Sequence, residues 1–348
     1  MLSTALLPAQ VVLGNGEPDP AWPTLHGWYD AAFGINGGAP PAAGDPVGLW
    51  ADRSVAGHDL DQVLTAASER PTWRAGDANG LPALAFDGDD AIWALETTFG
   101  QIPEDRTVFV VLRVEPGGDH GYVLDSSSSF GRNAFLTGQA GFHPGRWQIQ
   151  TGMDTILSTD VGYESWQVHT LELGNGFQQH FRDGVLQATG AAGLQALRGL
   201  TLGARYSLED FFRGGIAEVL VYAQLLPQAD REAVEGYLRR KYLEPRPRFE
   251  PFKAGAGEPL LLQVSGCTPY AAVFFGASTT GPGPWPSPWG TLMLTPPIHP
   301  IPPCGADGAG LAVQTAWIPE DLQGRTLWIQ AYDQGSGRLS TLGEAPIL

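Results

Sequence analysis

The residues of this chain best suited to chemistry are aromatic side chains set beside planar hydrogen-bonding groups. Trp147 stands between Arg146 and Gln148, and Tyr206 follows Arg205. A pyranose has an apolar C–H face and a rim of hydroxyls, so sugar recognition needs a ring to stack on and forked polar groups beside it. Arg132 and Asn133 supply such polar groups, which makes Arg132, Asn133, Trp147 and Tyr206 the candidate carbohydrate-binding set. Trp285 and Trp289, in the Pro- and Trp-rich run 282–289, form a second candidate patch. Aromatic residues are also what β-sheet cores are made of, so each of these rings has a competing reading as packing.

Signatures of catalysis are sparse. No G-x-S-x-G occurs, and Ser126–Ser129 reads as a polar loop. The seven histidines are scattered without an H-E-x-x-H, and Gly34–Gly38 lacks the strand-loop-helix context of a phosphate cradle. Cys267 and Cys304 are the only cysteines, with no CxxC motif around them. A single disulfide in an oxidising compartment is expected, the other reading being two buried thiols. Such a bridge would close a loop of about 37 residues and contribute roughly 3–4 kcal/mol.

Composition narrows the partners. The net charge is −17 and lysine occurs only at 241 and 253, which speaks against a nucleic-acid surface. No run of ~18 apolar residues exists, so no membrane-spanning helix is expected. Met1–Leu13 is apolar and opens a segment, 1–21, with two readings: the remnant of a secretory signal, or a strand that pairs with a sheet edge in its own chain or a neighbour's. The second would make the chain a homo-oligomer or filament.

The elements that must position these residues are mostly strands. With 43% hydrophobic residues, 46 glycines and 29 prolines, the sequence alternates short apolar runs with turn signals. Thr107–Val114, Leu200–Gly203 and Ile216–Tyr222 read as strands, and Asp183-Gly184 as a hairpin turn. Pro227–Leu243 is the one strong helix: acids come early, Arg239, Arg240 and Lys241 come late, and Val234, Tyr237, Leu238 and Tyr242 share a face. The stretch 245–257 reads as a linker between a first domain, 22–244, and a second, 258–348. In the second, five runs beginning with Pro259–Val264 and ending with Thr326–Tyr332 predict a small β-sandwich, with 282–289 an irregular loop.

The order of several blocks resembles the laminin-G-like branch of the concanavalin A-like lectin and glucanase superfamily, found in bacterial surface and secreted proteins. These blocks are Trp28-Tyr29-Asp30-Ala31, Trp50-Ala51-Asp52-Arg53-Ser54, Phe86-Asp87-Gly88-Asp89-Asp90, Phe212–Tyr222 and Glu235-Gly236-Tyr237-Leu238. The resemblance covers about 220 residues. It implies an all-β fold: an antiparallel jelly-roll sandwich closed by a helix, with Trp50, Phe86, Phe109 and Tyr222 as inter-sheet core. Glu218, on a core strand, then needs a charged or hydrogen-bonding partner. Rim ligands in similar pentraxin and laminin-G domains imply a possible calcium set of Asp125, Asn133, Glu209 and Asp210, with ordinary loop residues as the alternative. No cofactor is otherwise required.

Catalytic members of that superfamily carry an E-x-D-x-x-E strand, which aims two carboxylates at the sugar. This sequence has none; Glu17-Pro18-Asp19 is followed by Trp22 where the second glutamate would stand. The expectation is therefore a non-catalytic, secreted or cell-surface binding or adhesion protein whose partner is a glycan or other cell-surface polymer. A structural, self-assembling surface protein is the alternative, and a divergent glycoside hydrolase the second alternative.

Overall fold

The computed structural model describes residues 11–348 apart from 14–15, 39–40, 130, 139–142, 175, 192 and 194. Residues 1–10, and with them most of the expected N-terminal strand or signal remnant, lie outside the described residues. Strand makes up 47% and helix 8%, which places the chain in the all-β class. Among the described residues no helix is long and apolar enough to cross a membrane. The chain divides into two compact units, 1–243 and 244–348.

The first unit is a two-sheet antiparallel sandwich. One sheet orders its strands Val185–Gly190, Phe177–Arg182, Gln167–Gly174, Arg106–Val114, Arg213–Tyr222, Leu81–Asp87 and Thr72–Ala78, with Leu25–Asp30 also pairing along Arg213–Tyr222. The other runs Asp154–Asp160, Arg146–Thr151, Asn133–Leu136, Tyr122–Asp125, Leu200–Leu202, Ile92–Ala94 and Gln62–Val63. Alternation along Arg106–Val114 explains the layering: Val108, Val110, Leu112 and Val114 enter the core between the sheets, where they meet Trp50, Phe86 and Phe135.

Phe109 and Tyr222 correct the expectation of inter-sheet packing. They pair edge to face at 5.9 Å on the other side of the first sheet. Phe109 stands opposite Thr170, whose hydroxyl donates to Glu235 of the helix Gln228–Tyr242 at 2.8 Å, so that face is the one the helix covers. Glu218, two positions from Leu220, which pairs with Phe109, shares it.

The second unit packs Arg248–Phe249, Pro259–Ser265 and Ala312–Trp317 against a five-stranded sheet. Its core includes Leu260, Leu262, Val264, Val273, Phe275 and Ile329. Two expectations change here. The stretch 245–257 is part of this unit and not a free linker, because Arg248 and Phe249 pair with Ser265 and Val264, and Ala254 is buried. Residues 282–289 are not wholly irregular, since Trp285–Ser287 pairs with Gly290–Leu292 in a short hairpin.

The expected disulfide is absent: Cys267 and Cys304 are free thiols. Cys267 fills space at the core as a small apolar group, its thiol directed at the Val264 carbonyl 3.7 Å away. Burial pushes that thiol up to about 11, away from the reactive thiolate form.

Candidate functional site

Trp147 cannot serve as a stacking platform, because its ring is fully buried between the sheets. Alternation along Arg146–Thr151 sends Trp147 and Ile149 inward, and Trp147 stacks on Phe135 at 4.6 Å and tilts against His169 at 4.4 Å. Asn133 is also committed to structure. Its amide NH2 donates to the carbonyls of Gly131 at 3.1 Å and Ala196 at 2.8 Å, and its carbonyl oxygen accepts from Arg106. Arg106 is itself buried and donates to the carbonyls of Pro103, Glu104 and Gln195.

Arg132 and Tyr206 do come together, around Tyr122 and Asp125. Arg132 donates to the Tyr122 hydroxyl at 2.9 Å, and the Tyr206 backbone N–H donates to Asp125 at 3.2 Å. The Arg205 guanidinium lies 5.1 Å from the Tyr206 ring centre. Burial pushes the Asp125 carboxyl up to about 6, opposed by the backbone N–H groups of Tyr206, Ser126 and Asn133. The expected calcium set is not assembled. Asp125 is held by those amides, Asn133 by Arg106, and Glu209 and Asp210 face Arg205 at 4.0 and 3.8 Å. Among the described residues the three carboxylates do not gather within reach of one ion.

A better-formed recess lies in the second unit, and of its aromatic rings the sequence singles out Trp289 alone. In strand Ala272–Ser278, Val273, Phe275 and Ala277 point into the core, which leaves Phe274 outward and 43% exposed. In strand Thr326–Asp333, Leu327, Ile329 and Ala331 point inward and Tyr332 outward. The register places Phe274 directly opposite Tyr332, with ring centres 6.5 Å apart. The hairpin Trp285–Ser287/Gly290–Leu292 then brings Trp289 to 5.8 Å from Tyr332. Gln330 ties that hairpin down: its carbonyl accepts from the Met293 N–H and its amide donates to the Ser340 carbonyl, both at 2.8 Å.

The result is a trough of about 630 Å³ whose lining includes Phe274, Trp289, Leu292, Ile301, Tyr332 and the exposed Gln334. That volume is within the range of small-ligand sites. Its walls are mostly apolar, and the Phe274 and Trp289 side chains are partly exposed. This is the arrangement required to pack against the C–H face of a sugar. Trp285, 48% exposed, belongs to the hairpin but does not line the trough. Phe274 and Tyr332 went unrecognised because their outward aim depends on strand phase and register, which neither short apolar run discloses.

No family model matches the chain, and no curated protein matches it. Solved structures do resemble it. Domain 4 of an extracellular arabinanase from Geobacillus stearothermophilus, solved with arabinotriose, is 13% identical, with 61% of this chain and 97% of that one covered at a TM-score of 0.40. An α-L-arabinofuranosidase is 13% identical, with 65% and 59% covered at 0.44. A protein from Bacteroides ovatus described as a putative carbohydrate-binding protein is 15% identical, with 43% and 46% covered at 0.37. This chain therefore spans less than two thirds of the latter two. At these scores none of the likenesses carries a family or an activity over to this chain, and membership of the laminin-G-like branch is not shown. The expectation of a protein without catalytic activity is nevertheless corrected. Glycoside hydrolases stand among the solved structures that resemble it, and a missing E-x-D-x-x-E strand excludes one catalytic arrangement, not catalysis itself.

Proposed function

We propose that the chain is a carbohydrate-directed protein acting outside the cell or at its surface, and that the trough of the second unit holds the glycan. One observation supports this reading above the rest: Phe274 and Trp289 each sit within ring-contact distance of Tyr332 around a recess of about 630 Å³. Exposed aromatic rings cost solvation free energy unless something covers them, and a saccharide can do so while keeping its hydroxyls in water. Gln334, exposed in the lining, offers both donor and acceptor to those hydroxyls.

Calorimetric titration of the full chain with a panel of soluble polysaccharides that includes arabinan tests the reading. Binding to at least one polysaccharide is expected, and Trp289→Ala should weaken it about tenfold, equivalent to about 1.4 kcal/mol. Trp317→Ala serves as the control: that ring is 66% exposed on strand Ala312–Trp317 of the other sheet, away from the trough lining, and its loss should change nothing. A folded chain that binds none of the panel, or an equal loss in both variants, overturns the reading. A reducing-sugar assay on the same polysaccharides runs beside it, since glycoside hydrolases and binding modules both capture glycans in troughs.

A further inference from the structure

The turn at 87–91 carries the first unit's chain from one sheet to the other. Strand Leu81–Asp87 belongs to the sheet under the helix, and Ile92–Ala94 to its partner. Gly88 takes a φ of +110°, which permits the turn. Asp87 and Asp89 are exposed, whereas Asp90 is 2% exposed. One Asp90 oxygen accepts the Asp87 N–H at 2.7 Å, and the other, Oδ1, is buried without a hydrogen-bond partner.

A buried, unpartnered carboxylate oxygen is costly, and here two further carboxylates crowd it. Arg213, opposite Asp87 in the sheet, donates to the Asp87 main-chain carbonyl at 3.4 Å and makes no ion pair with the three carboxylates among the described residues. One oxygen from each of Asp87, Asp89 and Asp90 lies within 4.8 Å of the others. Calcium–oxygen distances are about 2.3–2.6 Å, so oxygens on opposite sides of one ion stand up to about 5 Å apart and all three fit a single coordination sphere.

We propose that Asp87, Asp89 and Asp90 form a calcium site that clamps the sheet-crossing turn, with water completing the sphere on the exposed side. It is a hard, all-oxygen donor set on a turn, which suits the flexible coordination of calcium. The buried Asp90 oxygen is the one that most needs the ion.

Chelator-treated full-length protein titrated with calcium chloride, by calorimetry and by thermal melting, tests the site. One ion per chain and a raised melting temperature are expected. Asp89→Asn and Asp90→Asn should each weaken binding at least tenfold, while Asp210→Asn leaves it unchanged. If Asp90→Asn fails to fold, the exposed Asp89→Asn decides alone. No binding up to ~10 mM calcium, above the range of weak extracellular sites, overturns the proposal. So does binding that survives both substitutions in the turn.

Discussion

Lys241→Met is expected to lower the stability of the first unit by about 3–5 kcal/mol, the usual cost of leaving buried charges without their counter-ion. Asp30 and Glu218 are cross-strand partners, both fully buried, and would repel each other if alone. Lys241 reaches between them from the last turn of the helix Gln228–Tyr242, 2.7 Å from each carboxylate and 2.9 Å from the Tyr237 hydroxyl. Glu218 also accepts from the Trp28 indole N–H at 2.7 Å and the Tyr242 hydroxyl at 2.8 Å, and Arg53 pairs with Asp30 at 2.8 Å. Burial pushes the Glu218 carboxyl up, and Lys241 offsets it only in part. Asp30 pays the same burial penalty, but Lys241 and Arg53 outweigh it and hold its carboxyl below the usual range.

Methionine fills the space of the lysine stem and supplies no charge, so Glu218 should take up a proton in the folded variant. A carboxyl whose folded pKa exceeds its unfolded value adds stability at low pH and loses it as pH rises through the folded pKa. The deficit of Lys241→Met should therefore be larger at pH 8 than at pH 5. Adding Glu218→Gln should recover part of it, since the buried repulsion is then gone. Urea unfolding of the first unit measures both effects. A loss under about 1 kcal/mol at pH 8, the level of an exposed pair, would show that the network does not hold the helix to the sheet.

Part of this was legible in the sequence. The closing helix was readable from its charge order and apolar face, and it runs Gln228–Tyr242 with Pro227 just before it. Asp183 and Gly184 form the tight turn their types predicted, with φ of +54° and +81°. The need of Glu218 for a partner also followed from its apolar strand, although the partner itself lies 23 residues away. What stayed hidden depends on the third dimension. Alternation says that Trp147 and Gln148 face opposite ways but not which way is inward, and Gln148 is itself only 2% exposed, so polarity misled. Phe109 and Tyr222 failed for a related reason: a strand covered on both faces is apolar throughout and does not disclose its sides. The trough depends on Phe274 and Tyr332 meeting in register, and no local pattern encodes that.

Acid should destabilise the first unit earlier than its carboxylates alone require, because of His169 and His180. Their rings stack at 5.1 Å between the sheets, beside Trp147 and Phe135. His169 Nε2 lies 3.1 Å from the Gln167 side-chain oxygen, His169 Nδ1 lies 2.8 Å from His180 Nε2, and His180 Nδ1 lies 2.7 Å from the Ser158 hydroxyl. One assignment satisfies every link: His169 donates to Gln167, His180 donates to His169, and Ser158 donates to His180. Both rings are then neutral; a proton added at His169 Nδ1 would face the His180 N–H, whereas one added at His180 Nδ1 would turn the Ser158 hydroxyl into the acceptor. Burial, then the Arg182 charge, pushes His180 down to about 3, and burial together with His180 and Arg182 holds His169 well below the ordinary histidine value. Both folded values lie below the unfolded value near 6.5, so the stabilisation is complete above that pH and lost as pH falls toward the folded values. His180 alone, at about 1.4 kcal/mol per pH unit, gives a loss of roughly 2–3 kcal/mol between pH 6.5 and 4.5, and His169 adds to it in the same direction. The double variant His169→Phe/His180→Phe keeps aromatic rings in the stack and removes the titration. Urea midpoints measured across that pH window should fall steeply for the natural chain and much less for the variant, and parallel slopes would refute the role of the pair.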